Sequence, residues 1–179
     1  SVEVRPLPAQ MPEVWLLGSS GQSAAWAGVH DLNYAYAQFF TGHQQVEIMN
    51  HYRAHLPEGS GRGSIHGGQT LSALCVSAAA TREEAREQAL VAADARFSLR
   101  TGRPMRFRDP ATLDAAYRAE VERYLERDTA IIVGTYDEVA QALSSFAENH
   151  GTEEVMLISY IDDVEVKNHQ YAELAARLL

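Results

Sequence analysis

Two hydrophobic periods alternate along this chain, and their order predicts its architecture. Val14-Trp15-Leu16-Leu17 is an unbroken apolar run that suits a strand covered on both faces, and Gly18-Ser19-Ser20-Gly21-Gln22-Ser23 turns it directly into a helix through Ala24, Ala25, Trp26 and Ala27. Asn33 to Phe40 is aromatic-rich and of strand length, with Gly28 and Asp31 marking the turn before it. From Thr41 to Leu56 the period becomes helical: Val46, Met49, Tyr52 and Arg53 recur at helical spacing, and Pro57 ends the run. Leu71 to Ala80 reads as a third, buried strand. Thr81-Arg82-Glu83-Glu84 is a capping box that opens a helix to about Arg100, with Ala85, Ala89, Ala92 and Arg96 on one face. Ala111 to Arg127 is helical by the stripe Leu113, Tyr117, Val121, Tyr124 and Leu125, and Ile131 to Gly134 is a short extended piece. Thr135-Tyr136-Asp137-Glu138 is a second capping box, opening a helix with an apolar face of Val139, Leu143 and Phe146 and a stop at Gly151. Val155 to Tyr160 is the fourth strand, and a helix carrying Tyr171, Leu174 and Leu178 closes the chain.

Strand followed by helix, repeated, with two further helices inserted after the third strand, predicts an α/β fold of parallel strands joined by helical crossovers. Four such units suit half of a (β/α)8 barrel or a small doubly wound parallel sheet, and periodicity does not separate the two. A chain of 179 residues, 46% hydrophobic, is long enough for one substantial core, which predicts a single domain over 1–179. The segment from Val2 to Pro12, punctuated by Pro6, Pro8 and Pro12, reads as a connector from an earlier element.

Charge and cysteine content narrow the partners. Fifteen Lys+Arg against 24 Asp+Glu give a net charge of -9, which argues against nucleic acid and against an anionic membrane surface. Cys75 is the single cysteine and cannot form an internal disulfide; with no signal-peptide pattern and no run of transmembrane length, a cytoplasmic location is expected.

The chemistry concentrates at the first strand-to-helix junction. Ser19, Ser20 and Ser23 set hydroxyls around the unpaired N–H groups and positive dipole end of a helix, and Gly18 lets the backbone approach closely, so a phosphate fits there. The same residues also suit a ligand-free N-cap at Ser20 tightened by Ser23. Gly18-Ser19-Ser20-Gly21 lacks the second glycine of a nucleophile elbow, which falls on Gln22, and matches neither a nucleotide P-loop nor a dinucleotide fingerprint. Three other features carry weaker signals. His51 and His55 are four apart on a helix, but no third metal ligand accompanies them, so they read as surface histidines. Pro57 to Gly68, with Gly59, Gly61, Gly63, Gly67 and Gly68, suits an active-site lid or a plain connector. Arg100, Arg103, Arg106 and Arg108 around Phe107 suit a phosphate or an acidic substrate, with a solvated loop as the alternative.

Taken in order, Pro12 to Ala24, the aromatic stretch ending Gln38-Phe39-Phe40, Ala78 to Ala85 and Val133-Gly134-Thr135 resemble the C-terminal half of the luciferase-like, flavin-dependent monooxygenases. The resemblance spans nearly the whole chain, and the Gly-Ser-Ser stretch is its most specific part. It implies the last four strands of a (β/α)8 barrel, with Gly18, Ser19, Ser20 and Ser23 gripping the phosphate of reduced FMN. Residues Tyr34 to Phe40 and the Gly-rich loop are then expected to line or cover the flavin pocket. The implied reaction uses reduced flavin and dioxygen to oxidise a small organic substrate, with a flavin reductase as the source of reduced FMN. A deazaflavin is the alternative cofactor, and a non-catalytic flavin-binding protein the alternative function. Departing from the family, the first four strands are missing, so no catalytic residue is named. The chain is expected to pair with an N-terminal half-barrel or with a second copy of itself.

Overall fold

Thr70–Ala79, a strand of small and β-branched residues buried along almost its whole length, is the axis on which the molecule is assembled (β3). The computed structural model describes residues 12–42, 45–60, 67–152 and 154–179. Strand β1 (Trp15–Gly18) pairs with β2 (Asn33–Ala37), and β2 pairs with residues 70–73 of β3. Strand β5 (Glu154–Ile158) pairs with residues 71–75 and therefore takes the opposite edge, while β4 (Ile131–Thr135) pairs with residues 75–79, past the end of β2. Every pairing is parallel. The extended piece at Ile131 thus proves to be a full strand, so five strands stand where four were expected.

Side-chain alternation along β3 divides the core in two. Leu74, Val76 and Ala78 join Tyr34 and Tyr36 under α1 (Gly21–Val29), α3 (Val46–Ala54), α6 (Tyr136–His150) and α7 (Val164–Leu178). Cys75 faces the other way and packs with Ile131 against α4 (Arg82–Arg100) and α5 (Ala115–Leu125). Burial pushes the Cys75 thiol up to about 12, which keeps it a neutral core side chain. The cover on this second face is incomplete. Leu17 of β1 is 61% exposed and Met156 of β5 is 54% exposed, and both share the face of Ala35 and Ala73. Val14 to Leu17 is therefore not enclosed on both sides: β1 is the last strand of the sheet, and nothing among the described residues lies over Leu17.

Local chemistry sets the helix starts. Thr81 and Thr135 form the predicted capping boxes, and Asp114 and Asp163 cap α5 and α7 by accepting first-turn N–H groups. Among the boundaries that differ from the sequence expectation, two have a visible cause. The aromatic stretch leaves the sheet after Ala37 and becomes the short α2 (Gln38–Thr41), because Gln38 donates to the Thr129 carbonyl at 3.0 Å and Arg96 donates to the Phe39 carbonyl. Ahead of α5, Asp109 starts a separate 3-10 turn at Pro110–Thr112, so the helix begins at Ala115 rather than Ala111. The expected connector over 2–12 and the expected lid over 57–68 fall partly or largely on residues 1–11 and 61–66, outside the described residues.

Burial of one ionisable group makes stability depend on pH. His150 ends α6 at 2% exposure, its Nδ1 donating to the Phe146 carbonyl at 2.9 Å and its ring stacked on Phe146. Its Nε2 is buried without a partner among the described residues, and Arg53 Nη2 sits 2.7 Å from the His150 carbonyl. Burial, reinforced by the Arg53 cation, holds the imidazole below its ordinary 6.5. Below that pH the unfolded chain binds a proton that the folded chain does not, so stability is full above 6.5 and falls as pH drops through the depressed folded value. Urea midpoints measured between pH 7.5 and 5 should decline, and His150→Phe should flatten the decline; an unchanged slope in the variant would discount this origin.

Candidate functional site

Because the strands are parallel, their carboxyl ends gather on one side, and the caps Ser20, Thr81, Thr135 and Asp163 place helix N-termini there. In such sheets this end, where N–H groups converge, is the usual ligand face. The β1–α1 junction shares a capping box with the starts of α4 and α6 but differs from the other three in having no acidic residue in its first turn. Ser20 is the N-cap: its Oγ accepts from Ser23 N at 3.2 Å, and Ser20 N donates to Ser23 Oγ at 3.2 Å, so the two serines form a reciprocal capping box. Ser23 Oγ also donates to the Ser20 carbonyl at 2.8 Å and lies 3.1 Å from the Tyr34 hydroxyl.

The compactness of this junction depends on Gly18. A Cβ there would meet Ser23 Oγ at 2.2 Å and Ser23 Cβ at 2.5 Å, so any side chain would force the helix away from the strand end. Packing from α3 closes the other flank, where the His51 imidazole lies 3.5 Å from where a Cβ on Gly21 would stand. Tyr34 is fully buried, and burial raises its hydroxyl pKa, with the Ser23 hydrogen bond opposing that rise. It is thus a neutral hydrogen-bonding group that holds Ser23 in place.

Ser20 and Ser23 therefore serve each other and the helix. What remains for an anion is the Ser19 hydroxyl and the first-turn N–H groups of Gly21 and Gln22, which have no acceptor among the described residues. The first turn of α1 carries no acidic residue, whereas the first turns of α4, α6 and α7 do. A cavity of about 280 Å³ opens beside the junction, lined by Leu16, Ser20, Gln22, Ser23 and Trp26. All four sequence-predicted residues, Gly18, Ser19, Ser20 and Ser23, thus come together at one helix start. Their parts divide: Gly18, Ser20 and Ser23 build the turn, and the Ser19 hydroxyl has no hydrogen-bond partner among the described residues. Tyr34 had been singled out only as part of an aromatic stretch, and no sequence signal marked its hydroxyl as the partner of Ser23.

The other sequence candidates lie elsewhere. His51 and His55 pack ring to ring at 5.2 Å, with His55 Nδ1 donating to the His51 carbonyl at 2.7 Å, and no cluster of three or more metal-ligating side chains occurs among the described residues. Of the four clustered arginines, Arg108 is held by Asp94, and Arg100 lies over the Tyr124 ring. No helix of the described residues is long and apolar enough to cross a membrane.

The model of one family, described as luciferase-like monooxygenase, matches residues 1–153. This chain belongs to the luciferase-like monooxygenase family. N-acetyl-S-alkylcysteine monooxygenase of Bacillus subtilis (strain 168) is 28% identical to it over 179 residues, which are 98% of this chain and 52% of the relative. The crystal structure of apo-MsnO8 superposes with a TM-score of 0.78 at 26% identity, over 98% of this chain and 53% of that one. The oxygenating constituent of 3,6-diketocamphane monooxygenase from Pseudomonas putida, solved in complex with FMN, shares the fold with a TM-score of 0.55 at 17% identity, over 94% of this chain and 49% of that one. The chain spans about half the length of the curated relatives it matches, and its parallel β/α units correspond to half of a (β/α)8 barrel.

Gly18→Ala should open the junction, separating Ser23 from Ser20 and Tyr34. A loss of about 1–3 kcal/mol in urea unfolding is expected, and crystallography or amide exchange should show the first turn of α1 loosened. A variant as stable as the parent would show that the close approach is dispensable.

Proposed function

We propose that this chain supplies the flavin-phosphate site of an FMN-dependent monooxygenase that oxidises a small organic substrate. The observation that carries the reading is the set of donors at the start of α1: the Ser19 hydroxyl and the Gly21 and Gln22 N–H groups, unclaimed among the described residues, at a dipole end with no carboxylate beside it. These donors fit a phosphate dianion in number and in sign. Bound reduced flavin supplies the oxygen-activating chemistry, and the protein's part is to hold, orient and desolvate it. Ser19 and the Gly21 and Gln22 N–H groups would fix the phosphate, and Gly18, Ser20, Ser23 and Tyr34 would keep those donors in place.

The remainder of such a site belongs to a second half-barrel. Leu17 and Met156 lie exposed on one face, and among the described residues β1, β4 and β5 each pair with a single strand, so strand edges and an apolar face await cover. An N-terminal half-barrel is the cover this reading favours, with a second copy of the chain as the alternative. A flavin reductase would deliver reduced FMN.

The phosphate assignment is tested by Ser20→Asp in the intact protein that carries this chain. Asp caps a helix as well as Ser does, so the change is chiefly electrostatic. FMN affinity should fall about tenfold or more through like-charge repulsion, with riboflavin much less affected. Equal loss for both flavins would refute the assignment, and FMN binding without reductase-dependent oxygen uptake would leave a non-catalytic flavin binder. Sedimentation of the 179-residue chain alone tests the second half-barrel: self-association, or capture of an added N-terminal half, is expected, and a stable soluble monomer with cooperative unfolding would overturn it.

A further inference from the structure

The segment between α4 and α5 concentrates positive charge in a chain that is otherwise acidic. Arg100, Arg103, Arg106 and Arg108 fall within nine residues, with no Asp or Glu between them, although the whole chain carries a net charge of -9. Their surroundings treat them unequally. Arg108 forms a two-pronged pair with the fully buried Asp94, at 2.8 Å from Nε to Oδ2 and 2.5 Å from Nη2 to Oδ1. Tyr117 donates to the same Asp94 carboxylate at 2.8 Å and lies 3.1 Å from Ser98 Oγ. Asp94 is thereby saturated and its charge is spent on Arg108.

Arg103 and Arg106 have no carboxylate partner among the described residues, while Arg82, Arg86, Arg96, Arg118 and Arg177 all do. The backbone at Arg103 is tied to the end of α4. Arg103 N donates to the Ser98 carbonyl at 2.8 Å, and Pro104 follows. The guanidinium carbons of Arg103 and Arg108 lie 5.1 Å and 4.8 Å from the centre of the Tyr117 ring, within cation–π range. A cavity of about 330 Å³ is lined by Ser98, Pro104, Asp114, Tyr117 and the three arginines Arg103, Arg106 and Arg108. The one carboxylate in that lining, Asp114, is turned onto Tyr117 N at 3.0 Å as the N-cap of α5. Three guanidinium groups line one cavity; Asp94 pairs with one and the Asp114 carboxylate offsets another, so a positive charge is left for an anion between Arg103 and Arg106.

We propose that this cavity binds a small organic oxyanion, a carboxylate or a phosphate, with Arg103 and Arg106 as its ligands and the Asp94–Arg108–Tyr117 cluster as the scaffold that holds the segment in place. The site is separate from the β1–α1 junction and does not depend on the flavin reading. Titration of the intact protein with inorganic phosphate, and separately with acetate, at matched ionic strength in chloride, should shift the side-chain Nε–H resonances of Arg103 and Arg106 saturably. The double variant Arg103→Gln with Arg106→Gln should weaken binding about tenfold, while Ser20→Asp leaves it unchanged. Tighter binding of phosphate would assign a phosphoryl group, and tighter binding of acetate a carboxylate. Binding no stronger than that of chloride, binding that survives the double variant, or binding that is lost with Ser20→Asp would each overturn the proposal. Both arginines are exposed and form no ion pair among the described residues, and Arg108 stays over the Tyr117 ring when Arg103 is replaced, so the double variant should fold as the parent does; matching thermal melts would confirm it.

Discussion

One strand has to satisfy the hydrogen-bonding groups of three others, and the layout of the molecule follows from how it does so. Each edge of β3 carries a full set of N–H and C=O groups that are costly to bury unpaired. One edge is shared between β2 below and β4 above, which is why the chain leaves the sheet after Ala37 and returns at Ile131, with Gln38 bonded to the Thr129 carbonyl where the two strands meet. The other edge is taken by β5 only as far as Cys75. Beyond that point the fully buried Gln170 of α7 stands in for a strand, its Oε1 accepting from Ala78 N at 2.7 Å. The position of α7 is therefore set by a backbone need of β3 as well as by the packing of Leu174.

A second tie reaches across the sheet in the same manner. Asp128 pairs with Arg96 on α4 and accepts from Ala130 N, while Arg96 also donates to the Phe39 carbonyl. One guanidinium thus joins α4, the end of α2 and the loop entering β4. The Arg96 hydrogen bonds outweigh burial and hold the Asp128 carboxyl below the usual range, so the pair stays charged through the neutral region. This pair anchors the segment between α4 and β4, from which α5 and the arginine-lined cavity project.

Much of this was legible in the sequence, and the parts that were not have a common cause. Helix starts at Ser20, Thr81 and Thr135 rest on side chains acting on their own backbone, and the stop at Gly151 on a left-handed conformation that glycine adopts freely, so residue order alone reveals them. The same holds for the clustering of Gly18, Ser19, Ser20 and Ser23, which are contiguous or nearly so. What the sequence left hidden depends on partners far along the chain: the early exit of β2, fixed by Thr129 and Arg96; the completion of β4 as a strand; the neutralisation of Arg108 by Asp94; and the Tyr34 hydroxyl meeting Ser23. Tertiary hydrogen bonds of this kind leave no periodic trace. The assumption that Val14 to Leu17 is covered on both faces erred for a related reason, since an apolar run shows what a strand is suited to lie against and not whether that surface is present in the same chain.

The division of labour at the β1–α1 turn bears on how such a chain changes over evolutionary time. Gly18, Ser23 and Tyr34 hold the turn together, whereas the outward donors at Ser19, Gly21 and Gln22 contribute little to keeping the fold. Drift at the outward positions is nearly free of folding cost, and drift at the inward ones is not. On the reading proposed for this turn, a descendant that loses the Ser19 hydroxyl can weaken anion binding while preserving the Gly18 and Ser23 spacing, so retention of that spacing tracks ancestry more faithfully than it tracks activity.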